Sequence, residues 1–239
     1  MRILKHIAFL LIIASSFSAV GNSTFEEAVE AFNGEDFTLS AQKFDSIASI
    51  SPHNIGAIYN LGLAQLENRQ YGKAIWAFER VLKYQPNDRV TKDKIRECYF
   101  QLYPNYYWEF RLNGFQTILY SISPNAWGII AIFSSIVLSF MLVLFRKNSS
   151  ISMKRIALFV GFISFVFLLF SILTGSLTKQ YRTQDNRAVV LKKTTSFKNS
   201  EEIREGQILE CTECSGDTIT FTTKNKQELR LLREDVGFI

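Results

Sequence analysis

Cys211-Thr212-Glu213-Cys214 is the one spacing in the chain that could put two thiols within reach of each other. A disulfide oxidoreductase places such a C-x-x-C at the start of a helix, where the helix end lowers the thiol pKa. Here the motif closes an alternating strand and enters a hairpin, which argues for a non-catalytic pair, free or locally bridged. A zinc site needs a second pair, and only Cys98 remains. The chain has 2 His, His6 and His53, which is too little for a histidine metal cluster or a histidine base. It contains no nucleophile elbow, P-loop, H-E-x-x-H or dinucleotide fingerprint. The expectation is therefore no catalytic residue, no metal, no cofactor and no enzyme.

Composition directs attention elsewhere. The chain holds 27 Lys+Arg against 22 Asp+Glu, a net charge of +5, with 47% apolar residues. Such a balance invites a nucleic-acid reading. Residues 1–21 contribute Arg2 and Lys5 without an acid, and residues 115–178 contribute Arg146, Lys147, Lys154 and Arg155 without an acid. The remainder is nearly balanced. The excess charge thus lies in the apolar segments, no basic face is needed, and nucleic acid is excluded as a partner.

Three apolar segments follow. Residues 1–21 read as a secretory signal: a basic Met1–His6, then the apolar Ile7–Val20, then Ala19-Val20-Gly21 as a cleavage site. An uncleaved anchor is the alternative. Residues 126–145 and 156–177 carry no charge and are each long enough to span a bilayer. The connector 146–155 holds four cations, which places it on the cytoplasmic side. Signal and connector agree on a hairpin with residues 22–104 and 180–239 outside the inner membrane of a bacterium, in the periplasm. Tyr103, Tyr106, Tyr107, Trp108, Phe110, Phe115, Tyr120 and Trp127 crowd the approach to the first span, so 105–125 reads as an interfacial aromatic segment at headgroup level.

Pro52 and Pro86 are spaced like Phe44 and Phe78, at the period of the tetratricopeptide repeat. In the second copy Leu61 and Phe78 fill the core, Gly62 and Ala74 are small where the helices cross, and Pro86 ends the unit. Ser23-Thr24-Phe25-Glu26 reads as a capping box, Asn33-Gly34 and Glu67-Asn68-Arg69 as turns, and Asp88 as the N-cap of a closing helix. The inner face of the first helices would be an apolar partner-binding groove of Phe25, Val29, Phe32, Tyr59, Leu63 and Leu66, with Asn60 beside it.

Residues 180–239 change period. Ala188–Leu191, Gln207–Cys211, Thr218–Thr222 and Glu228–Leu232 read as short strands, separated by turns at Ser215-Gly216-Asp217 and Thr223–Lys226. A helical turn at Arg233–Val236 precedes Gly237-Phe238-Ile239. This pattern predicts a small antiparallel barrel.

The order of signal, repeats, Ser123-Pro124-Asn125-Ala126-Trp127, two spans and a strand beginning Arg187-Ala188-Val189-Val190 resembles the BatE family of bacterial aerotolerance (Bat) operon proteins. That resemblance implies a C-terminal Src-homology-3-like barrel, with Arg204-Glu205-Gly206 as its turn, although the barrel's usual aromatics are absent. The expected fold class is a multi-domain membrane protein: an all-α tetratricopeptide domain, a two-helix transmembrane hairpin and a small all-β barrel. The expected function is an inner-membrane scaffold whose repeats bind membrane-anchored Bat-type partners of an envelope complex linked to aerotolerance. The expected partners are those proteins and the lipid bilayer, with no small-molecule substrate. The alternatives are a cell-wall sensor acting through the barrel and a thiol-redox protein using Cys211 and Cys214.

Overall fold

The computed structural model describes residues 24–106, 108–147, 150–183, 186–195, 202–214, 216–222 and 228–239. The expected signal at 1–21, the capping box begun by Ser23, Tyr107 and the turn at 223–226 lie outside these residues. The chain divides into two compact units. One is built from the residues up to Lys83, from Asp88–Phe110 and from Asn186–Ile239; the other is chiefly Arg111–Asp185.

Helices α1 (24–33), α2 (Phe37–Ile50), α3 (Ile55–Glu67), α4 (Tyr71–Tyr84) and α5 (Arg89–Leu102) open the first unit. Their starts follow from local chemistry. The side chain of Asp36 accepts from the Leu39 N–H, Asn54 from Ala57 and Asp88 from Val90, each satisfying a donor the first helical turn leaves open. The α1–α2 and α3–α4 turns each use one left-handed residue, Glu35 at φ 63° and Arg69 at φ 57°.

The strands among the described residues are β1 (Arg187–Val190), β2 (Thr194–Thr195), β3 (Glu202–Ile203), β4 (Ile208–Glu213), β5 (Thr218–Thr222), β6 (Glu228–Leu232) and β7 (Val236–Phe238). A 3-10 turn, Arg233–Asp235, joins the last two. The main sheet runs β6-β5-β4-β1-β7, and β2 and β3 form a separate ribbon. Strands β4 to β6 alternate as half-buried strands should, with Leu209, Cys211, Ile219, Phe221, Leu229 and Leu231 buried. Strand β1 does not alternate; all four of its residues are buried. Ala188 and Val190 join the sheet's own core, while Val189 joins Phe78, Leu82, Ile95 and Tyr99 of α4 and α5. A strand covered on both faces reads as an unbroken apolar run, which is what Ala188-Val189-Val190 is.

The two-faced β1 corrects the expected fold class. The tetratricopeptide domain and the free-standing Src-homology-3-like barrel are not separate modules; helices and sheet share a core and fold as one unit. Their seam is close. A Cβ on Gly72 would stand 2.5 Å from the Leu191 carbonyl oxygen, and one on Gly237 would stand 2.6 Å from the Trp76 ring. Trp76 Nε1 donates to the Phe238 carbonyl at 2.8 Å, and the Gly72 N–H donates to Glu205 Oε1 at 2.7 Å. The strands also form an open sheet with β6 and β7 at its ends, plus the ribbon, where a closed barrel was expected.

The second unit holds α6 (Gly114–Ser121), α7 (Pro124–Lys147) and α8 (Ile151–Thr183). Asn113 and Gln116 form a capping box that starts α6, so this helix is shorter than the aromatic segment that surrounds it. Both α7 and α8 are long and apolar enough to cross a bilayer. At ~1.5 Å per residue α8 is about 50 Å long, well beyond the ~30 Å of hydrocarbon, because no breaker follows its apolar run. On α8 the buried residues are Ala157, Gly161, Ser164, Ser171, Thr174 and Thr178, one small-residue stripe along one face. Small side chains let two spans approach closely, and a Cβ on Gly161 would stand 3.6 Å from the Met141 Cβ of α7.

Candidate functional site

Two clefts open in the first unit. One, of about 400 Å³, is lined by Thr38, Gln42, Gln65, Asn68, Gln70 and Lys73, with Trp76 and Leu191 among its apolar walls. Among the described residues the buried Oε1 of Gln65 has no hydrogen-bond partner there. The other, of about 540 Å³, lies between the end of α5 and the β3–β4 turn, with Tyr99, Tyr103, Tyr106 and Trp108 on one side and Arg204, Glu205 and Gln207 on the other.

The second cleft is held by its phenols. Tyr99 donates to the Gly206 carbonyl at 2.7 Å and Tyr103 to the Glu205 carbonyl at 3.0 Å. Burial pushes both phenols above their usual range, so both remain protonated donors. Gly206 sits at φ 76°, a left-handed conformation that suits glycine, and a Cβ there would stand 2.7 Å from Ile75 Cδ1. Rings gather behind the phenols: Tyr99 stacks on Trp108 at 6.4 Å and meets Tyr106 at a tilt at 5.1 Å. The cleft offers ring surface and fixed donors and no activated nucleophile.

The expected groove residues border two cores. Phe25, Val29 and Phe32 are half-buried against the core formed by Phe44, Ile58, Leu61 and Ala77. Phe25 meets Phe44 edge-on at 5.3 Å. Tyr59 and Leu63 pack on the second core, where Leu66 is buried, and Asn60 is half-buried. None of the seven lines either cleft. Leu61, Ala74 and Phe78 are fully buried, and Gly62 faces Phe78. Pro86 lies in the turn between α4 and α5. What the sequence reading missed is the carboxamide lining of Gln42, Gln65, Asn68 and Gln70. Its signal was a scatter of amides along α2 and around the α3–α4 turn, which sequence alone cannot separate from ordinary surface. The aromatic approach also divides. Trp108 is buried in the first unit with Tyr103 and Phe110 beside it, while in the second unit Tyr120 stacks on Tyr181 at 4.8 Å and Trp127 is buried.

Cys211 and Cys214 are bridged to each other at the bulged end of β4. Cys98 is free and buried, and burial pushes its thiol up to about 12, so it is no nucleophile near neutral pH. Among the described residues no cluster of metal-ligating side chains forms. The spans carry hydroxyls, but Ser134, Ser139, Ser171, Thr174 and Thr178 each donate to a carbonyl one turn back on their own helix.

Helices and geometry together define a membrane protein with a close-packed two-helix hairpin. The chain is similar, over residues 99–197, to the family described as cytochrome b C-terminal/b6/petD. No curated protein and no solved structure matches it. The matched stretch is less than half of the 239 residues and contains α6, α7 and α8 whole. This finding corrects the BatE resemblance, and with it the tetratricopeptide scaffold, the Src-homology-3-like barrel and the link to aerotolerance. The cell-wall sensor and thiol-redox alternatives fall too. The BatE resemblance rests on the order of segments, which unrelated membrane proteins can share; the family match covers the hairpin itself.

A cytochrome implies haem, whose iron is held by His, Cys, Met or Tyr. Neither of the 2 His lies in residues 99–197. Met141 is the one such side chain on α7 inward of its ends, and it packs where Gly161 closes the interface, leaving no space for a macrocycle between the helices. The residues present do not fit haem, and no chemistry is assigned through it.

Proposed function

We propose that this chain is a non-enzymatic, membrane-anchored subunit of a membrane protein complex of the electron-transfer class, contributing a helix hairpin rather than a redox centre. The observation that carries this reading is the family match falling on α6–α8, whose spans hold neither His nor Cys. The first unit stands on the extracytoplasmic side and the α7–α8 turn in the cytoplasm. Three features support that orientation. The turn carries four cations. The strands hold a disulfide, which persists in oxidising compartments. The segments before and after the hairpin fold into one unit, so both must lie on the same side.

The test is chemical crosslinking in intact membranes, followed by mild solubilisation and native electrophoresis of the tagged chain. Crosslinks from the spans to other membrane proteins, in a stable assembly larger than the 27.4 kDa chain, are expected. A chain that migrates alone after crosslinking sinks the reading. For orientation, a cysteine at Asn105 should react with an impermeant maleimide from outside and one at Ser150 should not; the reverse pattern inverts it.

A further inference from the structure

We propose that the α7–α8 turn binds the phosphodiester of an anionic phospholipid, and this goes beyond the subunit reading above. The site is a charge cluster with no countercharge. Arg146 and Lys147 end α7, and Lys154 and Arg155 stand in the first turns of α8, so each helix contributes two cations to one end of the hairpin. None of the four forms an ion pair among the described residues. The sequence explains why: no Asp or Glu occurs between Glu109 and Asp185.

Geometry gathers these charges. The helices pack closely along the small-residue stripe of α8, so their ends are neighbours. Lys154 is half-buried, with its Nζ 5.9 Å from the centre of the Phe145 ring on α7, so this cation leans across the hairpin. The free N–H groups at the start of α8 add the positive end of a 33-residue helix to the same place. Arg146 and Lys147 offset the opposite helix end of α7, and Lys154 and Arg155 add to a pole that is already positive.

The occupant follows from where the cluster must sit. Arg146 and Lys147 directly follow the apolar part of α7, and Lys154 and Arg155 directly precede that of α8, so all four lie at headgroup depth. The anions concentrated at that depth are lipid phosphates. A zwitterionic headgroup brings its own cation and is repelled in part; a phosphoglycerol headgroup keeps its full negative charge. Lipid attraction grows by roughly fivefold for each Lys or Arg near the surface, so four together supply several-hundredfold.

The test uses the full chain purified in neutral detergent, so that it does not depend on orientation or on partners. Native mass spectrometry reads the bound lipid as short-chain phosphatidylglycerol or phosphatidylcholine is added. Wild type should retain phosphatidylglycerol in preference to phosphatidylcholine, and raising salt should weaken that preference. Replacing the four cations together (Arg146→Gln, Lys147→Gln, Lys154→Gln, Arg155→Gln) should lower phosphatidylglycerol affinity by at least ~100-fold. The charge-conserving pair Arg146→Lys with Arg155→Lys should stay within about fivefold of wild type. Equal retention of the two lipids, or an unchanged quadruple variant, overturns the proposal. Binding of free glycerol phosphate as tight as that of the lipid would also overturn it, by assigning the site to a soluble anion. Should the quadruple variant fail to fold, the lipid preference and its salt dependence in wild type decide alone.

Discussion

Glu79→Ala is expected to destabilise the first unit by about 3–5 kcal/mol, the range for removing one partner of a buried ion pair. Glu79 Oε2 on α4 lies 3.4 Å from Arg187 Nη1 on β1, and the two side chains are only 3% and 7% exposed. The pair joins the helical part of the unit to its sheet across 108 positions of sequence. Removing the carboxylate takes from Arg187 a buried countercharge, and a guanidinium cannot shed its proton to escape the cost. The pair itself is worth much less than its breakage. A double replacement, Glu79→Leu with Arg187→Met, should fall within about 1–2 kcal/mol of wild type, since apolar side chains of similar volume often replace such pairs at little cost. The contrasting control is Glu27→Ala. Its partner Lys43 is 2.7 Å away, yet the Glu27 side chain is 54% exposed and that of Lys43 31%, and the change should cost under ~1 kcal/mol. Cys98 supplies the readout. Its buried thiol reacts only when the unit opens, so the alkylation rate of Cys98 in denaturant tracks stability directly. Equal rates for Glu79→Ala and wild type would mean that the pair is not buried as described.

The elements that could be read from sequence are those whose cause is local. Asp88 caps α5 because its side chain reaches the next free N–H, and that information is contained in a few residues. Strands β5 and β6 lie where Thr218–Thr222 and Glu228–Leu232 alternate, since one face of each is wet. The two apolar runs become α7 and α8, although α8 continues to Thr183 for want of a breaker. What could not be read depends on distant partners. Gly72 and Gly237 look like ordinary loop or helix glycines until Leu191 and Trp76 arrive against them. Trp108 resembles a headgroup anchor in a run of aromatics, yet it is buried beside Tyr99. The hairpin inserted between α5 and β1 made the flanking segments look like independent modules, and the shared core shows in contacts such as that of the doubly buried Val189. The expected groove rests on a pattern with two causes. Phe25, Val29 and Tyr59 recur at helical spacing, and that spacing is equally what a packed helix requires. The amide-lined cleft has no periodicity at all, since its residues come from α2, α3, α4 and the end of β1.

Gly62→Ala is expected to cost about 1–3 kcal/mol, an overpacking penalty out of proportion to one methyl group. The added Cβ would stand 2.5 Å from Phe78 Cε1, with two further ring atoms within 2.9 Å. The ring has little freedom to yield. Phe78 is fully buried, and its other neighbours include Tyr59, whose ring centre is 5.7 Å away. Elsewhere in a helix the same substitution would stabilise, because alanine has the higher helix propensity by about 1 kcal/mol. The sign of the effect therefore reports the helix crossing and not the helix. Phe78→Ala alone should cost about 3–5 kcal/mol through lost burial and the cavity left behind. The two changes should not add. With the ring gone, the new methyl group enters the cavity, so the double variant should be more stable than Phe78→Ala alone, with a coupling of about 1–3 kcal/mol. Additive losses would show that Gly62 and Phe78 do not meet, and a stabilising Gly62→Ala would show that α3 and α4 stand further apart than the glycine allows.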